Sequence, residues 1–304
     1  MDSGVLAADA SPPDSSTPDA TRSDGATPPS EALTVELLIG TDASLTEQHG
    51  DGLGCYVEGV AAHVNYIFSN LAPDLDLRIV LVRHEADVDT RGLELGSNRD
   101  ALLSRWVEWS NAENVDGDDD PNHFDYKVLL TGQSFGRSGW ATSGPAICNP
   151  NAGAIVRDKG YYGAKIVAHE LAHTLGLGHV EGSQYLMNAN PGTAWSDASV
   201  ASLLALDLSS EACLADGVEP PSSPGIPTFT HEEQCQTRYG APACSMSAAQ
   251  RDCERLVCQT GAGSCSWEVG PRLDGSACGD GRWCIGGTCV DRPSGGSAGF
   301  TCSP

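Results

Sequence analysis

The stretch Val167–Asn188, VAHELAHTLGLGHVEGSQYLMN, constrains this 304-residue chain more than any other. His169 and His173 stand four residues apart, which on a helix places both imidazoles on one face, a single turn from each other. Two imidazoles at that spacing can share a tetrahedral zinc at about 2.0–2.1 Å. Glu170, beside the first histidine, can reach a water on the same metal without ligating it. His179 follows ten residues after His169, and on a continued helix it would lie about 15 Å further along the axis. It joins the same metal only if the chain turns sharply after His173. Gly176 and Gly178 supply the backbone freedom for that turn. The pattern predicts a helix over Tyr162–Leu177, a turn, and zinc held by His169, His173 and His179. Three protein ligands leave one position open, as in catalytic rather than structural zinc sites. The other five histidines, His49, His63, His84, His123 and His231, read as surface or core residues.

Cysteine placement divides the chain. Eight of the twelve cysteines lie between Cys235 and Cys289, the density of a module stapled by disulfides in an oxidising compartment. Before it, the pattern alternates. Val35–Gly40, Leu77–Val82 and Tyr126–Thr131 read as buried strands, while Gly54–Leu71, Asp100–Asn111 and Asp197–Leu208 carry helical spacing. That alternation indicates an α/β or α+β domain long enough to bury a core. The expected organisation is a Pro/Ser-rich acidic segment over 1–31 with too little to bury to order itself, a catalytic domain over 32–218 and a linker over 219–230. A cysteine-rich module over 231–291 and a flexible tail over 292–304 complete it. The first segment lacks the basic start and apolar core of a secretory signal, so the expectation is a secreted protein whose signal peptide is not present in this sequence.

Charge narrows the function. Forty-one acidic against 17 basic residues give −24, which argues against nucleic-acid and anionic-membrane binding, since both need a basic face. No apolar run reaches the roughly 18 residues of a membrane span. The acidic balance hints at basic substrates.

The residues HELAHTLGLGH, with Met187 eight positions past the third histidine, resemble the metzincin zinc proteases and their methionine turn. VELLIGTDASLTEQHG, HVNYIF with LRIVLV, AICNP and ACLAD resemble the adamalysin or reprolysin branch, which includes the ADAM and ADAMTS proteases. Glu232–Val290 is similar to the disintegrin-like module that follows ADAMTS catalytic domains, with all eight cysteines in order. The resemblance implies a mixed, mostly parallel sheet with a long zinc-binding helix, followed by a small disulfide-rich module. It implies that Met187 lies beneath the zinc site without ligating it. It pairs Cys148 with Cys213, Cys235 with Cys258, Cys244 with Cys265, Cys253 with Cys284 and Cys278 with Cys289; spacing alone leaves 105 pairings of the last eight open. Cys55 and Cys302 are left without assigned partners. One position departs from the branch: Val180 and then Glu181 follow the third histidine, where relatives usually have Asp.

By the same resemblance Glu36, Asp125, the Cys213 carbonyl and Asp216 would bind a structural Ca²⁺, and a peptide substrate would lie along an edge strand at Gly139, Trp140, Ala141 and Thr142. The expected function is that of a secreted zinc metalloendopeptidase acting on extracellular proteins, Glu170 serving as general base toward zinc-activated water. The rival from another class is a catalytically idle binding protein on a protease scaffold. The intact general base argues against it.

Overall fold

In the computed structural model the described residues are 33–69, 75, 77–115, 117, 120, 122–142, 144–160, 162–192 and 194–215. Toward the C-terminus they are 230–232, 234–235, 241–244, 253, 256–259, 263–267, 272, 276–279, 281–285 and 288–291. The expectations for residues 1–31, the linker up to residue 229, the tail, Asp216 and Cys302 fall outside them. The Cys55 side chain also lies outside them.

Five strands make the main sheet: β1 (Leu33–Thr41), β2 (Leu77–Glu85), β3 (Tyr126–Thr131), β4 (Gly139–Ala141) and β5 (Ala154–Arg157). Their order is β2-β1-β3-β5-β4. Every pairing is parallel except that of β4, which runs antiparallel to β5 at one edge. The sheet is mixed and mostly parallel, as the fold class requires.

Parallel strands joined by helices are covered on both faces and read as continuous apolar runs, and β1 is buried from Thr34 to Thr41. Alternation sorts its side chains. Val35, Leu37 and Ile39 join Val128, Leu130, Ala154 and Val156 in one core, packed with α2 (Leu53–Ser69) and α4 (Gly163–Thr174). Leu38, Leu129 and Ile155 point the other way, to Leu102 and Trp106 of α3 (Arg99–Glu113). The central strands have no solvent face, and β2 and β4 form the two edges of the sheet.

Two elements escape the sequence patterns. α1 (Ala43–His49), capped by the Asp42 side chain accepting from Leu45 N–H, is only seven residues long. β5 has four residues, a strand by virtue of its pairing with β3 and β4. α5 (Asp197–Leu204) is capped by Ser196 accepting from Ser199 N–H. It ends four residues before the expected Leu208, because Leu206 N–H bonds Leu203 O and tightens the last turn.

The C-terminal part holds an antiparallel pair, β6 (Val257–Gln259) with β7 (Cys265–Trp267), and a three-stranded sheet of β8 (Ala277–Gly279), β9 (Arg282–Ile285) and β10 (Thr288–Asp291). Its small cores are largely half-cystines: Cys235, Leu256 and Cys258 in one, Cys253, Cys278 and Cys284 in the other. Disulfides join Cys235–Cys258, Cys244–Cys265, Cys253–Cys284 and Cys278–Cys289. So small an apolar content needs covalent staples.

Candidate active site and metal centre

Helix α4 is buried almost all round, and it carries His169 and Glu170 into the core's edge with His173 half-buried one turn on. The helix stops in a Schellman turn. Gly176 has φ 101°, its N–H bonds His173 O, and Leu177 N–H bonds Ala172 O. A left-handed residue here reverses the chain and returns His179, itself exposed, to the first two histidines. Of the two glycines the sequence offers for this turn, Gly176 alone takes a positive φ; Gly178 does not. One residue is enough to end the helix.

The three Nε2 atoms converge. His173 lies 3.0 Å from His169 and 3.0 Å from His179, and His179 lies 3.3 Å from His169. The opposite ring nitrogens are held from behind: His169 Nδ1 faces Leu186 O at 2.7 Å and His173 Nδ1 faces Leu177 O at 2.7 Å. A carbonyl only accepts, so each Nδ1 carries the proton and each Nε2 of the neutral ring presents a lone pair. Lone pairs 3.0 Å apart repel unless a cation sits between them. Four ligands at about 2.0–2.1 Å around a tetrahedral zinc stand about 3.3–3.4 Å from one another. The donor set, tautomers and spacing therefore fit zinc. The other cluster of metal-binding residue types among those described, Cys253, Cys278 and Cys289, has its sulfurs in disulfides.

Burial pushes the His169 imidazole down to about 4 and the Glu170 carboxyl up to about 8. A nearby dication would favour both the neutral ring and the carboxylate. Glu170 stands against the edge strand: a Cβ built on Gly139 would meet Glu170 Oε1, with Glu170 Cδ at 2.8 Å and Ile166 Cγ2 at 2.7 Å. Gly139 is thus the residue that lets the carboxyl lie flush with β4.

The histidines and Glu170 line a cleft of about 700 Å³. Gly139, Trp140 and Ala141 form its strand wall, and Ala189, Asn190 and Pro191 also line it. Thr142, the fourth residue expected on the substrate strand, does not line the cleft; its Oγ1–H donates to Asn151 O at 2.7 Å and its N–H to Gly153 O. The Trp140 indole is held from the α3 side, with Nε1–H donating to Asp100 and the Arg99 guanidinium 3.8 Å over the ring. Met187 is buried in the larger core with Leu186. Val180 N–H donates to Met187 O at 2.9 Å, and Asn188 Nδ2 donates to Val180 O. The backbone after the third histidine is thereby stitched to the methionine turn, while Val180 packs on the core and Glu181 is exposed. Arg137 and Arg157 also line the cleft. No sequence motif singled them out, because each reaches it from a loop or strand end that only the β4–β5 pairing brings there.

Of the four calcium candidates, two are neighbours. Glu36 N–H donates to Asp125 Oδ2 at 2.9 Å, Asp125 N–H donates to Glu36 O at 3.0 Å, and both residues are buried. Cys213 is bonded to Cys148, and its short 3-10 turn, Ala212–Leu214, packs against β1.

Residues 35–192 match the Reprolysin (M12B) family of zinc metalloproteases, and residues 224–290 match ADAMTS cysteine-rich domain 2. Among curated proteins the chain is similar to the Homo sapiens protein "A disintegrin and metalloproteinase with thrombospondin motifs 1", at 29% identity over 293 residues, covering 85% of this chain and 30% of that one. It is 30% identical over 310 residues to the Homo sapiens "A disintegrin and metalloproteinase with thrombospondin motifs 8", covering 87% of this chain and 34% of the relative. The chain spans about a third of the length of these relatives.

Proposed function

The chain belongs to the reprolysin (M12B) family of zinc metalloproteases, and from that premise we propose that it is a working, exported zinc endopeptidase that hydrolyses peptide bonds of extracellular proteins. One observation carries this reading: three imidazole Nε2 atoms meet within 3.3 Å in a cleft walled by an open strand edge, with a buried carboxyl pressed against that strand.

His169, His173 and His179 would hold the zinc, which when bound supplies Lewis acidity, acidifying water and polarising a carbonyl. The chain does the rest. The outer edge of β4 receives the substrate as an added antiparallel strand, fixing it through backbone hydrogen bonds. Glu170, within reach of the same point, takes a proton from the attacking water and delivers it to the departing amine. Leu186 O and Leu177 O hold the two imidazoles in the ligand tautomer. An idle scaffold would have no use for Glu170, whose burial among metal ligands costs stability without return.

Five disulfides among the described residues support export to an oxidising compartment. Among those residues no helix is long and apolar enough to cross a membrane. We read 32–218 as the catalytic domain and 231–291 as a covalently braced module beside it. Glu36 and Asp125, two adjacent buried acids, suit a hard cation such as Ca²⁺, with Cys213 and Asp216 completing the set.

The test is a peptide-library digest by the zinc-loaded chain and its Glu170→Gln variant. Cleavage that a hydroxamate blocks, and that the variant lacks while retaining one zinc, is the expected result. A variant as active as the wild type would rule the mechanism out.

A further inference from the structure

The chain is strongly acidic, yet its cleft is not. Among the described residues that line it Glu170 is the single acid, whereas Arg137 and Arg157 both face it. Elsewhere in the domain arginines are engaged: Arg83 and Arg91 with Glu85, Arg99 with Asp100, and Arg105 with Glu94 O. Among the described residues, no carboxylate lies within ion-pair distance of Arg137 or Arg157, and neither guanidinium makes a hydrogen bond. Their positions are coupled. β5 pairs with β4 so that Val156 faces Gly139, and Arg157 N–H donates to Ser138 O at 2.8 Å. Arg157 is therefore one residue out of step with Arg137, at the same end of the sheet.

Strand polarity says which part of a substrate meets that end. A peptide antiparallel to β4 passes Ala141, then Trp140, then Gly139 as it runs from its N- to its C-terminus. Glu170 abuts Gly139, so the bond to be cut lies there. The residues that follow it run on past Ser138 and Arg137 and beside the end of β5 at Arg157.

We propose that Arg137 and Arg157 form an anion-accepting subsite, and that this protease prefers substrates with Asp or Glu among the first residues on the C-terminal side of the cleaved bond. The proposal rests on the endopeptidase reading. The planar guanidinium fork matches a carboxylate with two parallel hydrogen bonds, and a cleft wall gives those bonds more strength than open water does. The overall negative charge points toward basic substrates, but its reach is screened beyond about 8 Å at physiological salt. Inside the cleft the near charges decide.

The experiment uses the full zinc-loaded chain and matched quenched-fluorescence peptides that differ at one of the three positions after the cleaved bond, which carries Glu, Asp, Gln or Lys. Expected is a kcat/KM about tenfold higher for the acidic peptide than for its Gln twin, as for one charge-assisted contact. That ratio should collapse to about one in the Arg137→Gln/Arg157→Gln double variant and tilt toward Lys in Arg157→Glu. Arg91→Gln, which removes the same charge outside the cleft, should keep the wild-type ratio. A wild-type ratio near one, or a ratio that survives the double variant, overturns the subsite while leaving the endopeptidase standing. The same peptides, fluorescein-labelled, are bound to Glu170→Gln and followed by anisotropy. If no peptide is cut yet the acidic one binds about tenfold tighter, the endopeptidase reading fails and the subsite holds. No cleavage and no binding preference sinks both.

Discussion

Replacing Gly139 by alanine tests the link between the edge strand and the general base. Its backbone is an ordinary strand conformation, so the methyl group brings no φ strain. What it brings is a collision. The new Cβ would meet Glu170 Oε1 first and stand 2.8 Å from Glu170 Cδ, where ordinary contact begins at 3.4 Å, so the carboxyl must withdraw by more than about 0.6 Å. Ile166 Cγ2, at 2.7 Å, blocks the methyl from the other side, leaving the flexible glutamate as the group that yields. A general base works within about 2.6–3.2 Å of the proton it takes, and displacements of about 1 Å cost on the order of 100-fold. Gly139→Ala should therefore lower kcat by about 10- to 100-fold, or about 1.4–2.7 kcal/mol of barrier. KM should change less, and one zinc per chain should remain by elemental analysis. Full activity with zinc in place would refute the idea that the base must lie flush with β4.

Three further outcomes follow from other parts of the molecule. At Gly176, with φ 101° and nothing closer to an added Cβ than Pro145 at 3.5 Å, alanine meets backbone strain alone, about 1–2 kcal/mol. Gly176→Ala should melt a few degrees lower and hold zinc more weakly in a chelator competition, since His179 follows the turn; unchanged affinity would contradict that role. Burial, with Lys165's charge second, pushes the His63 imidazole down to about 3. Between the unfolded value of 6.5 and that figure the unfolded chain binds one more proton than the native one. Stability is thus lost as pH falls through this window, by up to about 1.4 kcal/mol per unit. In urea titrations His63→Gln should lose roughly 2 kcal/mol less than wild type between pH 7 and 5, and parallel curves would exclude the effect. Finally, EGTA should lower the melting temperature and added calcium restore it, with Glu36→Gln abolishing the response; indifference of the wild type to calcium would remove the proposed site.

What could be read from the sequence follows where the physical signal is local. The three long strands β1, β2 and β3 announce themselves as runs of aliphatic residues, and α2, α3 and α4 by their spacing. The turn that returns His179 is legible because a third histidine ten residues on makes sense only if a glycine breaks the helix. The sequence offered Gly178 equally, and nothing local distinguishes it from Gly176. β5 and β4 are too short for periodicity to register, being strands through their partners. Because the cleft's cationic end depends on that pairing, Arg137 and Arg157 could not be told from surface arginines beforehand. β4 itself ends at Ala141, and Thr142, the next residue, carries its pairing on by donating N–H to Gly153 O. The close approach of Glu170 to Gly139 is likewise tertiary, between residues thirty-one positions apart in the chain.

Zinc-edge X-ray absorption on the purified full chain addresses the metal centre most directly. The expected result is one zinc per chain with three imidazole nitrogens and one oxygen at about 2.0–2.1 Å, and loss of an imidazole shell in His179→Ala. Zinc bound through sulfur, or through two imidazoles that His179→Ala leaves unchanged, would contradict it.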